Sequence, residues 1–85
     1  MQDGWMNVAE LAAELQRLGM DPARYSLRGG LPDDGFAVGR EGKRWRVYYS
    51  ERGARYNIER SPTEDEACRR MLRLMVNTFG NPAAG

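Results

Sequence analysis

The 85-residue chain has no histidine, a single cysteine and no long apolar run, and each absence excludes a class of function. Without histidine the commonest general base is missing, together with the Ser/His and Cys/His arrangements of nucleophilic catalysis. Cys68 has no intrachain disulfide partner, and no Cys/His cluster with zinc spacing exists. No stretch approaches the ~18–20 apolar residues of a membrane-spanning helix, and residues 1–7 lack the basic and apolar regions of a secretory signal. These absences predict a cytoplasmic, non-enzymatic protein that works without cofactor, metal or membrane. Lysine is scarce as well: all but Lys43 of the thirteen basic residues are arginine. That bias fits a G+C-rich coding genome as well as a need for bidentate, stackable donors.

What is present is the composition of an ordinary globular domain, 41% hydrophobic and 29% charged. A chain of this length buries only roughly 60–65% of its unfolded surface, which leaves little core to spare for a deep pocket. The net charge is +1, but residues 36–60 carry seven basic and three acidic side chains, against three and six in residues 1–35. The basic surface therefore belongs to the middle of the chain.

Apolar residues at 8, 11, 12, 15 and 18 follow helical spacing, with Asn7 and Glu10 placed as a capping box and Gly19-Met20 as a Schellman stop. From Arg24 the period becomes two and predicts a strand through Leu27, ended by the glycine-rich loop 29–35. Phe36 and Val38 open a second strand, and Arg40-Glu41-Gly42 reads as a type I turn closed by a G1 bulge. In the third strand Trp45, Val47 and Tyr49 point inward while Arg44, Arg46 and Tyr48 point outward. Glu51-Arg52-Gly53 repeats the turn chemistry. A fourth strand places Tyr56 and Ile58 inward and Arg55, Asn57 and Glu59 outward. Ser61-Pro62-Thr63-Glu64 then reads as N-cap, N1 and N3 of a last helix with Ala67, Cys68, Met71, Leu72, Met75 and Phe79 as its buried stripe. Asp65–Arg69 and Glu66–Arg70 form i,i+4 pairs on its outer side.

The expected architecture is α+β, α-β-β-β-β-α, with two helices on one face of a three- to four-stranded antiparallel sheet. It forms one domain over residues 1–85, with an ordered core from about 6 to 79 and a flexible tail at 80–85. Cys68, inside the apolar stripe, reads as an inert packed thiol. Asp33-Asp34 and Glu64-Asp65-Glu66 read as turn formers and helix-dipole complements rather than a carboxylate pair. Arg28-Gly29-Gly30-Leu31 lacks the ending of a phosphate-binding loop.

The open sheet face is the candidate working surface, with Arg24, Arg28, Arg44, Arg46, Tyr48, Arg52 and Arg55 as its partner-binding residues. Cationic forks beside an aromatic ring suit an acidic protein surface or nucleic acid, and the same arginine stems also suit a merely solvated face. A homodimer through an exposed sheet edge is a further expectation. The element order is also that of a double-stranded-RNA-binding domain, whose mode uses a lysine cluster at the start of the last helix. Here Thr63-Glu64-Asp65-Glu66 would repel phosphate, so RNA contact would fall to the sheet face or to the turn at Lys43 and Arg44.

Over most of the chain, Arg24-Tyr25-Ser26-Leu27, Trp45-Arg46-Val47-Tyr48-Tyr49-Ser50-Glu51-Arg52-Gly53 and Thr63-Glu64-Asp65-Glu66-Ala67-Cys68 together resemble the small immunity-type proteins that accompany bacterial polymorphic toxins. The resemblance implies a non-enzymatic role in which the domain binds a cognate toxin and blocks its active site. It supplies a role and no site residues.

Overall fold

A computed structural model describes residues 6–30, 32 and 34–80; Leu31, Asp33 and all of the expected tail at 80–85 except Gly80 lie outside the described residues. In chain order come helix α1 (Val8–Arg17), a 3-10 turn (Pro22–Arg24), strands β1 (Tyr25–Ser26), β2 (Gly35–Glu41), β3 (Arg44–Glu51) and β4 (Ala54–Ser61), and helix α2 (Glu64–Phe79). The α+β class and the α-β-β-β-β-α order are as expected.

Helix α1 has both of its expected ends. Asn7 Oδ1 accepts from the Glu10 amide at 2.8 Å while Glu10 Oε1 accepts from the Asn7 amide at 3.1 Å. At the other end the Met20 amide donates to Leu15 O and the Gly19 amide to Gln16 O, both at 3.0 Å, the paired bonds of a Schellman motif. Leu15 and Met20 are both buried. Helix α2 starts later than the Ser61 cap predicts: Thr63 Oγ1 accepts from the Glu66 amide at 3.2 Å, and Ser61 is still in β4 opposite Trp45. The sequence offers two S/T-x-x-E registers, and pairing of Ser61 in the sheet selects the second. The two helix N-termini lie together. Glu64 Oε2 accepts from the Val8 amide at 2.8 Å and Asp65 Oδ1 from the Met6 amide at 2.6 Å, so the first turn of α2 satisfies amides that the start of α1 leaves open.

The sheet order is β1-β2-β3-β4. Strands β2, β3 and β4 are antiparallel neighbours, but β1 pairs parallel to β2, Tyr25 with Phe36 and Ser26 with Ala37, so the sheet is mixed rather than antiparallel. The predicted strand from Arg24 to Leu27 shrinks to two residues. Asp21 Oδ1 accepts from the Ala23 amide at 3.0 Å and holds residues 22–24 in a helical turn. Leu11, Leu15, Leu18 and Met20 pack with Ala67, Cys68, Met71 and Met75 of α2 against Phe36, Val38 and Val47, with Trp45 and Tyr49 partly buried at the margin. Both helices therefore cover one sheet face.

The two hairpins use different turns. Glu41 pairs with Arg44 around Gly42-Lys43, where Gly42 has φ +61° and Lys43 does not have positive φ. That is the II′ pattern of a two-residue loop, not the expected type I turn with a bulge. Glu51 pairs with Ala54 around Arg52 (φ +52°) and Gly53 (φ +79°), the I′ pattern. Both primed turns match the right-handed twist of the strands.

In β4 the expected alternation breaks. Tyr49 pairs with Tyr56 and Val47 with Glu59, so Tyr48 alone faces Asn57 and Ile58, and Asn57 has φ +53°. This is a bulge with asparagine in the left-handed position, which its short polar side chain tolerates better than most non-glycine residues do. Residues beyond it change faces. Glu59 turns toward the helices, where its carboxylate accepts from Arg70 Nε at 2.8 Å and Nη2 at 2.9 Å. Arg70 thus pairs across to the sheet instead of with Glu66, while Arg69 keeps its expected Asp65 partner at 2.7 Å. Tyr56 and Ile58, expected in the core, are 49% and 39% exposed.

Candidate functional site

By strand register, the face away from the helices carries Gly35, Ala37, Gly39 and Glu41 of β2, Arg44, Arg46, Tyr48 and Ser50 of β3, and Arg55 and Arg60 of β4. It is not the open face that alternation alone predicts. Ala37 and Ser50 are fully buried and Tyr48 is 3% exposed. Over Tyr48 the cover is the loop after β1. The Gly29 amide donates to Val38 O at 2.9 Å, and the Tyr48 hydroxyl donates to Gly30 O at 2.6 Å. Gly39 is what lets the loop lie so close, because a Cβ there would stand 2.9 Å from the Gly29 Cα.

Between this loop and the β3–β4 hairpin lies a hollow of about 250 Å³, lined by Arg28, Gly30, Glu41, Arg46, Tyr48 and Arg55 among others. The Arg55 guanidinium sits 5.0 Å from the centre of the Tyr48 ring, a cation–π contact that fixes its position. Arg46 donates to Glu41 through Nε, with its Nη2 against the second carboxylate oxygen. Arg60 is registered directly opposite Arg46. Among the described residues, no carboxylate pairs with Arg28, Arg55 or Arg60.

Of the seven residues expected to form the surface, the structure brings Arg28, Arg46, Tyr48 and Arg55 together. Tyr48 belongs there as a buried anchor for the loop and a platform for Arg55, not as an exposed contact. Arg44 lies on the same face one step out, opposite Glu41. Arg52 sits in the far turn, roughly 25 Å from Arg44 by strand rise. Arg24 is elsewhere: its guanidinium lies 5.4 Å from the centre of the Phe79 ring, and its Nη1 donates to Asp34 O at 3.5 Å. Arg60 was not among the expected residues, because uninterrupted alternation sends it inward and Glu59 outward. The bulge reverses both and makes the face more basic. Its only signal in the sequence is Asn57, an αL-tolerant residue within a strand.

A larger hollow of about 670 Å³ lies between β4 and α2, lined by Phe36, Tyr49, Ile58, Glu59, Arg70 and Leu74 among others. Among the described residues, no group of three or more His, Cys, Asp or Glu side chains is placed to hold a metal ion. Cys68 is fully buried, and burial with the nearby Glu64, Asp65 and Glu10 carboxylates pushes its thiol up to about 12. A thiol so placed keeps its proton and is a poor nucleophile. No helix among the described residues is long and apolar enough to cross a membrane. No family model matches the chain, and neither a curated protein nor a solved structure does.

Proposed function

We propose that this chain is a non-enzymatic protein-binding module of the bacterial cytoplasm, immunity-like in role, that docks on an acidic surface of a partner such as a toxin and blocks it. The observation that carries the reading is the convergence of Arg28, Arg46 and Arg55 around one hollow, where Glu41 is the one carboxylate among the described lining residues, with Arg60 registered opposite Arg46 on the same face. Arginine is enriched at binding hot spots, and an array of one sign speeds encounter with a surface of the other. The start of α2, where Glu64 and Asp65 are bonded to the beginning of α1, offers nothing to phosphate.

Affinity capture from a native lysate, with and without nuclease, tests this reading. Arg55→Glu and Arg60→Glu should each lower recovery of a protein partner at least tenfold, in line with reversing a charge at a complementary interface. Unchanged recovery with both variants rejects the face. Recovery that disappears after nuclease treatment transfers the surface to nucleic acid.

A further inference from the structure

We infer that the Arg46 guanidinium at the wall of this hollow is a seat for one carboxylate side chain of the acidic partner, and that Glu41 occupies that seat in the free protein. This rests on the partner-binding reading above and goes beyond it by naming the contact and the residue that must leave.

Three features favour an exchangeable carboxylate. Glu41 meets Arg46 through both carboxylate oxygens, the planar fork geometry that guanidinium offers a carboxylate. Host and guest differ in freedom: the Arg46 side chain is 20% exposed and that of Glu41 is 55% exposed. Glu41 is also registered opposite Arg44 rather than Arg46, so its bond runs diagonally from the end of β2 and rotation of its side chain alone breaks it. An ion pair this open to water contributes little to stability, and exchanging its acid costs little.

The surroundings explain why the seat does not stand empty. With Glu41 withdrawn, Arg46 would face Arg60 directly across the β3–β4 pair, with Arg55 and Arg28 beside it, and like charges opposite one another repel. At about 250 Å³ the hollow falls below the roughly 300–1,000 Å³ of sites for larger ligands and suits a single side chain. In the complex the partner's carboxylate takes the Arg46 fork, with Arg55 held over Tyr48 as its second donor and Arg60 balancing the remaining charge.

The test is titration of the folded protein with an end-blocked hexaglutamate peptide at low salt, followed by amide chemical shifts. Glu41→Gln empties the seat without removing a cation and should tighten peptide binding about fivefold. Arg46→Gln should weaken it about tenfold, with Arg46→Lys intermediate because it keeps the charge and loses the fork. Shifts should centre on Arg46 and Tyr48. If Glu41→Gln leaves affinity unchanged or lowers it while Arg55→Gln still weakens binding, the seat is refuted and the basic face stands. If peptide binding is absent, or indifferent to substitution of both Arg46 and Arg55, seat and face both fall. Inorganic phosphate or a single-stranded RNA that displaces the peptide at equal concentration also refutes a carboxylate seat.

Discussion

Cys68 shows how a residue's neighbours decide its chemistry. An exposed thiol loses its proton near pH 8.5, and a cysteine at the start of a helix is often shifted lower still. Here the first turn of α2 is acidic and the side chain faces the core, so both influences keep it protonated to about pH 12. The folded pKa is raised, so this group favours the native state fully below about pH 8.5. Above that the unfolded chain binds fewer protons than the native one, and stability falls as pH rises toward about 12. Thermal unfolding between pH 8 and 10.5 should therefore show a steeper decline for the wild type than for Cys68→Ala. Alkylation by iodoacetamide at pH 8 should proceed only through unfolding; rapid labelling of the native protein would contradict the buried placement.

At the scale of elements, β4 differs most from the pattern that period-two alternation predicts. One left-handed residue, Asn57, inserts an extra position opposite Tyr48 and inverts the remainder of the strand. The inversion takes Glu59 to Arg70 and Arg60 to the opposite face, joining β4 to α2 and raising the charge of the outer surface. Bulges and charged side chains also blunt an edge strand against self-pairing. Asn57→Gly should leave stability within about 0.5 kcal/mol of wild type, whereas Asn57→Val, which tolerates positive φ poorly, should cost about 1–3 kcal/mol in urea unfolding. A neutral valine would mean that the strand runs without the bulge.

Across the whole molecule, the outer layer is a loop rather than solvent alone. Ala37, Tyr48 and Ser50 are as well covered as the helix-side core, and the cover depends on contacts between residues distant in sequence. Gly39 is the narrow point. Gly39→Ala should drive the loop away from β2, break the Tyr48–Gly30 hydrogen bond and lower stability by about 1–3 kcal/mol. Hydrogen exchange at the Gly29 amide, which is bonded to Val38 O, should rise in the same variant. Unaltered protection there would show that the loop does not rest on Gly39.

Short-range chemistry was legible directly from the residues. Asn7 with Glu10, Gly19 with Met20, and the α2 stripe of Ala67, Cys68, Met71 and Met75 follow from hydrogen-bonding and periodicity over four to eight residues, and the structure contains all of them. The inward side of β3 was legible for the same reason. The tertiary structure decided the parallel β1–β2 pairing, the loop that buries Tyr48, the exclusion of Arg24 from the surface and the entry of Arg60 into it. Each of those depends on which distant segment supplies a hydrogen-bond partner or a van der Waals neighbour. Local propensity is silent on that choice, because competing registers such as Ser61 or Thr63 as cap, and Glu66 or Glu59 as the partner of Arg70, satisfy the same short-range rules. Packing selects between them through contacts that exist only once the sheet and helices have met.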